Sequence, residues 1–207
     1  MRTRLDLVQG WVEPENVHVH RLLPPGKRRV ALDIGANIGV TTFLLSQRFA
    51  RVHAFEPNPA LAQRLAAAAI SNVDVHDIAL SAGPNTAKLH IPRGPKAQMT
   101  GWASLEGTVK SRFENVDEIE VQVRSLDSLE LGPVDYIKID VEGHELSVLE
   151  GAADTFAIHR PWCVIETEGD NRAKVRAYFA THTYREVPLR KLADVQGSPH
   201  NLVFLPE

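Results

Sequence analysis

Residues 30–42 read VALDIGANIGVTT, and the fold turns on this stretch. The apolar run VALDI has the length and composition of a buried strand. A turn containing Gly35, Asn37 and Gly39 follows. Glycine lets the backbone come close to a ligand, and a helix that starts after such a turn offers unpaired N–H groups. The spacing then predicts a helix over 38–49, with Val40, Phe43, Leu44 and Phe49 at helical intervals. Strand, glycine turn and helix in this order suit a nucleotide-like cofactor, although many α/β folds turn this way without one.

The same alternation continues outward. RVHAF (51–55) reads as a second strand, and Asn58 before Pro59 as the cap of a helix running to about Ile70. VDVHD (73–77) is a third strand. VDYIKID (134–140), a helix from about Glu145, WCVIET (162–167), a helix near 171–182 and two late strands, YREVP and NLVFLP, complete the pattern. Helices alternating with apolar strands predict an α/β domain with a mostly parallel sheet. The rhythm breaks at about 86–125, where AKLHIP and EIEVQVRSL alternate like half-exposed strands around a turn-rich stretch. This reads as an inserted hairpin or lid, too short to bury a core of its own. Residues 1–29 read as a polar N-terminal segment closed by Pro24, Pro25 and Gly26.

Three acids follow the strands in chain order. Asp33 closes the first, Glu56 the second and Asp77 the third. A carboxylate about 20 residues past the loop accepts hydrogen bonds from ribose hydroxyls. The loop reads D-I-G-A-N-I-G, not G-x-G-x-x-G, and it begins with an acid. Asp33 would repel a pyrophosphate and attract an ammonium group. S-adenosyl-L-methionine carries adenosine and an amino-acid tail but no phosphate, and matches the three acids. A nicotinamide-dependent oxidoreductase is the alternative reading, and a non-catalytic module that binds S-adenosylmethionine is another.

These stretches, with DIALSAG, VDYIKIDVEGHELSVLEGA and the terminal NLVFLP, resemble the FkbM family of class I S-adenosylmethionine-dependent methyltransferases over residues 30–207. IKIDVEGHE is the most family-specific of them. The resemblance implies a Rossmann-like, doubly wound α/β fold: a seven-stranded, mostly parallel sheet with an antiparallel last strand. It implies O-methylation of a hydroxyl on a small molecule, sugar unit or polyketide-type product. It also implies that Gly35, Ala36, Asn37 and Gly39 wrap the methionine portion, and that Asp33 helps to hold its ammonium group. Glu56 would take the ribose hydroxyls with Pro57 shaping the turn, Asp77 and Ile78 would flank adenine, and Asp140 would stand near the reactive methyl.

Ligands of open α/β sheets lie beyond the carboxyl ends of the strands, which gathers Lys138, Asp140, Glu142, His144 and Glu166. Methyl transfer to an alcohol needs close approach and a group to take the proton. His144 is the best base by intrinsic pKa, with Glu142 and Glu166 as alternatives; Lys138 alternatively pairs with an acid. Asp140 and Glu166 would hold Mg²⁺ in a metal-assisted version, which is not the favoured one. His18 and His20 share a face if VHVH is a strand. Met99 and Trp102 in the insert suit either substrate contact or packing of the lid.

Composition bounds the rest. The chain has 207 residues, 43% of them hydrophobic, 23 basic and 26 acidic, with a net charge of −3. That describes one globular domain without a broad cationic field, so nucleic acid is not an expected partner. The lone Cys163 makes no intrachain disulfide and reads as core. MRTRLDLVQG lacks the apolar core of a signal peptide, no window reaches the ~20 apolar residues of a membrane span, and the expected location is cytoplasmic. No heptad is visible, so oligomeric state is left open.

Overall fold

The computed structural model describes residues 13–95 and 97–207; MRTRLDLVQG lies outside them. In chain order the elements are α1 (Pro14–His18), β1 (Val30–Ile34), α2 (Val40–Ser46), β2 (Arg51–Phe55), α3 (Pro59–Ala67), β3 (Val73–His76), β4 (Ala79–Leu80) and β5 (Asn85–Pro92). Next come α4 (Val109–Arg112), β6 (Val116–Arg124), β7 (Val134–Ile139), α5 (Glu145–Glu150) and α6 (Ala153–His159). The chain ends with β8 (Trp162–Glu166), α7 (Asn171–Thr181), β9 (Tyr184–Glu186), α8 (Leu189–Ala193) and β10 (Asn201–Pro206).

Seven strands form one sheet in the order β3-β2-β1-β7-β8-β10-β9. The pairs from β3 to β8 are parallel, and β10 runs antiparallel to both its neighbours. This is the expected doubly wound sheet. All five residues of β1 and all six of β7 are buried, which is why these runs do not alternate; their charged members, Asp33, Asp135 and Lys138, are each hydrogen-bonded, to Thr42, Arg29 and Asp140. One face carries α5, α6 and α7 over Leu32, Ile34, Ile137 and Ile139. Phe179 stacks on Phe204 at 4.0 Å, and Phe156 meets Phe179 edge-on at 5.3 Å. The other face packs Ala31, Val52 and Tyr136 against Leu45 of α2 and Leu189 of α8.

Several elements differ from their sequence expectation. α2 starts at Val40 rather than 38, because Gly39 takes φ 84° and stands outside the helix. The periodicity counted loop residues: Leu44 and Phe49 are buried, but Phe43 and Ile38 are exposed. Asn58 caps α3 as expected, its side chain accepting from the Ala60 N–H at 3.1 Å, but the helix stops at Ala67 and Ala69 takes φ 48°. The segment before β1 is not simply polar. Val17, Val19 and Leu23 are buried, and Arg29 grips Asp135 at the foot of β7 through its N–H and guanidinium. VHVH is helical, not a strand, so His18 and His20 do not share a strand face; His20 is buried against Tyr136. The helix from Glu145 is two short helices.

The insert is a long antiparallel hairpin, β5 on β6, joined by β4 into a separate three-stranded sheet. Contrary to the expectation from its length, it has a small apolar cluster of its own: Ala79, Leu89, Ile91, Val121 and Val123. It achieves this by recruiting β4, which the sequence reading missed. Among the described residues, no helix is long and apolar enough to cross a membrane.

Candidate active site

The order in which the chain lays down its strands reverses between the parallel neighbours β1 and β7, and a crevice opens beyond the carboxyl ends of these two strands. Gly35, at φ 81°, is built so close to β7 that a Cβ on it would overlap the carbonyl oxygen of Asp140. The Asp140 N–H donates to Ile34 O at 2.9 Å, locking that approach, while the Gly35 and Ala36 N–H groups both donate to Phe55 O at 3.0 Å. Gly39 is needed for a second reason: a Cβ there would strike the Leu65 side chain of α3.

The crevice leads into a solvent-open pocket. Gly35, Asn37, Glu56, Pro57, Ile78 and Asp140 line it. Glu56 is buried, and it accepts from Asn37 N–H at 2.7 Å and from Asn58 N–H at 2.9 Å. Burial pushes its pKa up, and these two N–H groups work against that rise. Each carboxylate oxygen keeps a lone pair for a further donor.

The remaining loop candidates do not line this cavity. Ala36 is buried against Ala54 and Leu65. Asp33 is fully buried between β1 and α2, accepts from the Thr42 hydroxyl at 2.6 Å, and leaves Oδ1 with no partner among the described residues. Burial raises its pKa, opposed by Lys138 and Thr42. Asp77 lies just past β3 and is exposed.

A second, larger groove of about 900 Å³ meets the first cavity at Gly101, Asp140 and Glu142. Glu166 at the end of β8, with Glu168 and Asp170 beyond it, forms part of its wall, and Trp102 and Arg112 of the insert another part. Glu142 adopts φ 50°. Burial, with Asp140 and Glu168 nearby, pushes its pKa to about 8. Glu166 is pushed to about 9 by burial, Asp140 and Glu13.

Lys138 is buried within β7 and donates to Asp140 Oδ2 at 2.7 Å. Burial disfavours its charge, but Asp140 and Asp33 more than offset this and raise its pKa. Lys138 therefore belongs to an ion pair behind the crevice. Among the described residues no three His, Cys, Asp or Glu side chains gather as metal ligands. Met99 and Trp102 are both partly exposed. Trp102 lines the groove and also packs edge-on against Phe113.

His144 lines the first cavity with both ring nitrogens engaged: Nδ1 is 2.7 Å from Glu106 Oε1 and Nε2 is 3.0 Å from Ser81 Oγ. Glu106 comes from the insert, 38 residues away in sequence. Nearby, the Ser104 hydroxyl donates to Glu142 O at 2.6 Å and Thr100 Oγ1 lies 3.3 Å from Asn37 Oδ1. The segment Thr100–Glu106 is thus pinned across both strand-end loops. Sequence reasoning missed Thr100, Ser104 and Glu106. Their signal is weak, because each contact bridges distant segments and no spacing rule connects them.

The family described as Methyltransferase FkbM domain matches residues 33–186. The chain belongs to this family. It is 34% identical over 128 residues to hexuronic acid methyltransferase AglP of Haloferax volcanii, a match covering 59% of the chain and 49% of that protein. Methyltransferase FkbM from Methylobacillus flagellatus superposes with a TM-score of 0.60 at 19% identity, over 86% of this chain and 44% of that one. Precorrin 8W decarboxylase from Methanobacterium thermoautotrophicum superposes with a TM-score of 0.51 at 14% identity, over 100% and 92%. Identities this low show a shared fold alone. The chain spans about half the length of AglP and of the FkbM structure. Membership of a methyltransferase family sets the nicotinamide-dependent oxidoreductase reading aside.

Proposed function

We propose that this chain binds S-adenosyl-L-methionine in the crevice between β1 and β7 and methylates a hydroxyl of an acceptor held in the adjoining groove. The observation that carries this reading is the meeting of the two spaces at Asp140 and Glu142. A methyl donor and an acceptor need such a junction, since an in-line displacement requires close approach at a fixed angle.

The residues fit the cofactor. Gly35 leaves open a backbone cradle that a Cβ would fill. Glu56 is pre-oriented by two loop N–H groups and offers its remaining lone pairs to ribose hydroxyls. Ile78 and Leu80 supply apolar walls for a purine. When bound, S-adenosylmethionine supplies an electrophilic methyl on a sulfonium.

Of the candidate bases, Glu142 suits the reaction best, because it borders both spaces and its ring-bearing rival His144 is engaged on both sides. Glu142 must first be ionised; it then accepts the acceptor's hydroxyl proton as the C–O bond forms. His144 serves as a positioning residue that ties the insert to the β7–α5 loop. AglP, named for a hexuronic acid, supports a sugar-type acceptor. The test is transfer of labelled methyl from S-adenosylmethionine to a panel of sugars. Glu142→Gln should lose transfer while keeping its affinity for S-adenosylhomocysteine; retained transfer would remove Glu142 from the role.

A further inference from the structure

The groove beside the crevice discriminates among acceptors by charge. Of the residues lining it, seven are carboxylic acids, against one arginine and one histidine. Three of the acids already have basic partners: Asp140 has Lys138 at 2.7 Å, Glu168 has His200 at 2.7 Å and Glu106 has His144 at 2.7 Å. Glu145 is spent differently, accepting from the Gly143 N–H at 2.7 Å and from Asn171 at 3.1 Å. Glu142, Glu166 and Asp170 have no basic partner among the described residues. His200 is occupied by Glu168, so Arg112 is the one cation of the lining without an ion pair there.

We propose that the acceptor is a polyhydroxylated ring carrying an amine rather than a carboxylate, lying between Trp102 and the Glu166–Asp170 wall. This rests on the methyltransferase reading, which makes the groove the acceptor site. The groove is large enough for a sugar unit and opens onto the transfer point at Glu142. Trp102, 43% exposed and braced edge-on by Phe113, offers a flat apolar face to the C–H side of a ring. Elsewhere along the lining an ammonium group finds the exposed Asp170 as a charge-assisted partner, and Glu166, whose raised pKa an adjacent cation would bring down. A uronate would place its carboxylate among acids that outnumber Arg112, and like charges in a partly desolvated groove repel. The acceptor thus differs in charge from the hexuronic acid for which AglP is named.

The test uses the full chain loaded with S-adenosylhomocysteine and three matched probes: methyl glucosaminide, methyl glucoside and methyl glucuronide. Saturation-transfer NMR gives their affinities at neutral pH. The glucosaminide should bind at least tenfold more tightly than the glucuronide, with the glucoside between them. The double variant Glu168→Lys, Asp170→Lys changes two exposed positions; it should reverse that order and leave S-adenosylhomocysteine affinity unchanged. Equal or tighter glucuronide binding to the native chain would overturn the proposal. So would binding of none of the three probes to a chain that holds S-adenosylhomocysteine normally, and the cofactor reading would then survive. Failure to bind S-adenosylhomocysteine at all would remove both.

Discussion

The imidazole Nδ1 of His144 lies 2.7 Å from the carboxylate of Glu106, and this contact joins the insert to the loop that follows β7. A carboxylate on Nδ1 favours the tautomer with its proton there, which leaves Nε2 to accept from Ser81 at 3.0 Å. Removing Glu106 frees one end of the roof over the first cavity. Glu106→Ala should reduce S-adenosylhomocysteine affinity by about tenfold, the scale of one charge-assisted hydrogen bond. Glu106→Gln keeps an acceptor for the Nδ1 proton and should recover most of that affinity. Titration calorimetry on both variants decides it, and equal losses would show that charge, not the hydrogen bond, holds the roof.

Gly35→Ala should abolish cofactor binding. The new methyl would overlap Asp140 O and must also sit at φ 81°. Gly132, at φ 77° with open space around it, is the control. Gly132→Ala pays only the backbone strain, about 1–3 kcal/mol, and should melt earlier while binding normally. Thermal melts and calorimetry together separate the two costs.

Glu142 makes stability fall as pH rises. Its pKa is raised from 4.5 to about 8 in the folded chain. Between those values the unfolded chain has released the proton and the folded chain still holds it, so raising pH favours unfolding. Glu142→Gln removes this penalty. The variant should match the native chain at pH 4 and exceed it by about 2–4 °C at pH 8, taking about 1 kcal/mol for a partly exposed group. Differential scanning at the two pH values checks the sign. A native-like melting temperature at pH 8 would mean that folding does not raise the pKa of Glu142.

Much of this architecture was legible in the sequence because it depends on local patterns. VALDI and VDYIKI are mostly apolar and non-alternating because both faces of a parallel sheet are covered, and Asn58-Pro59 carries its own capping chemistry. Gly35 and Glu56 were readable for the same reason: the turn and the strand end lie within about 20 residues. What escaped depends on contacts across the chain. The burial of Asp33 away from the cavity follows from α2 packing over it, which the loop sequence does not disclose. Phe43 looks like core by period, yet it is exposed on α2. Glu106 meets His144 only because the hairpin folds back over the crevice, and a two-residue strand, β4, supplies the edge that makes this possible.

The central claim, that the β1–β7 crevice is an S-adenosylmethionine site gripped by Glu56, is tested most directly by calorimetry. S-adenosylhomocysteine should bind the native chain at a single site, and NAD should give no heat. Glu56→Ala should weaken binding at least tenfold, the loss expected for two hydrogen bonds to a buried carboxylate, and Glu56→Gln should fall between. No binding of S-adenosylhomocysteine to well-folded protein, or an affinity that Glu56→Ala leaves unchanged, would contradict the account.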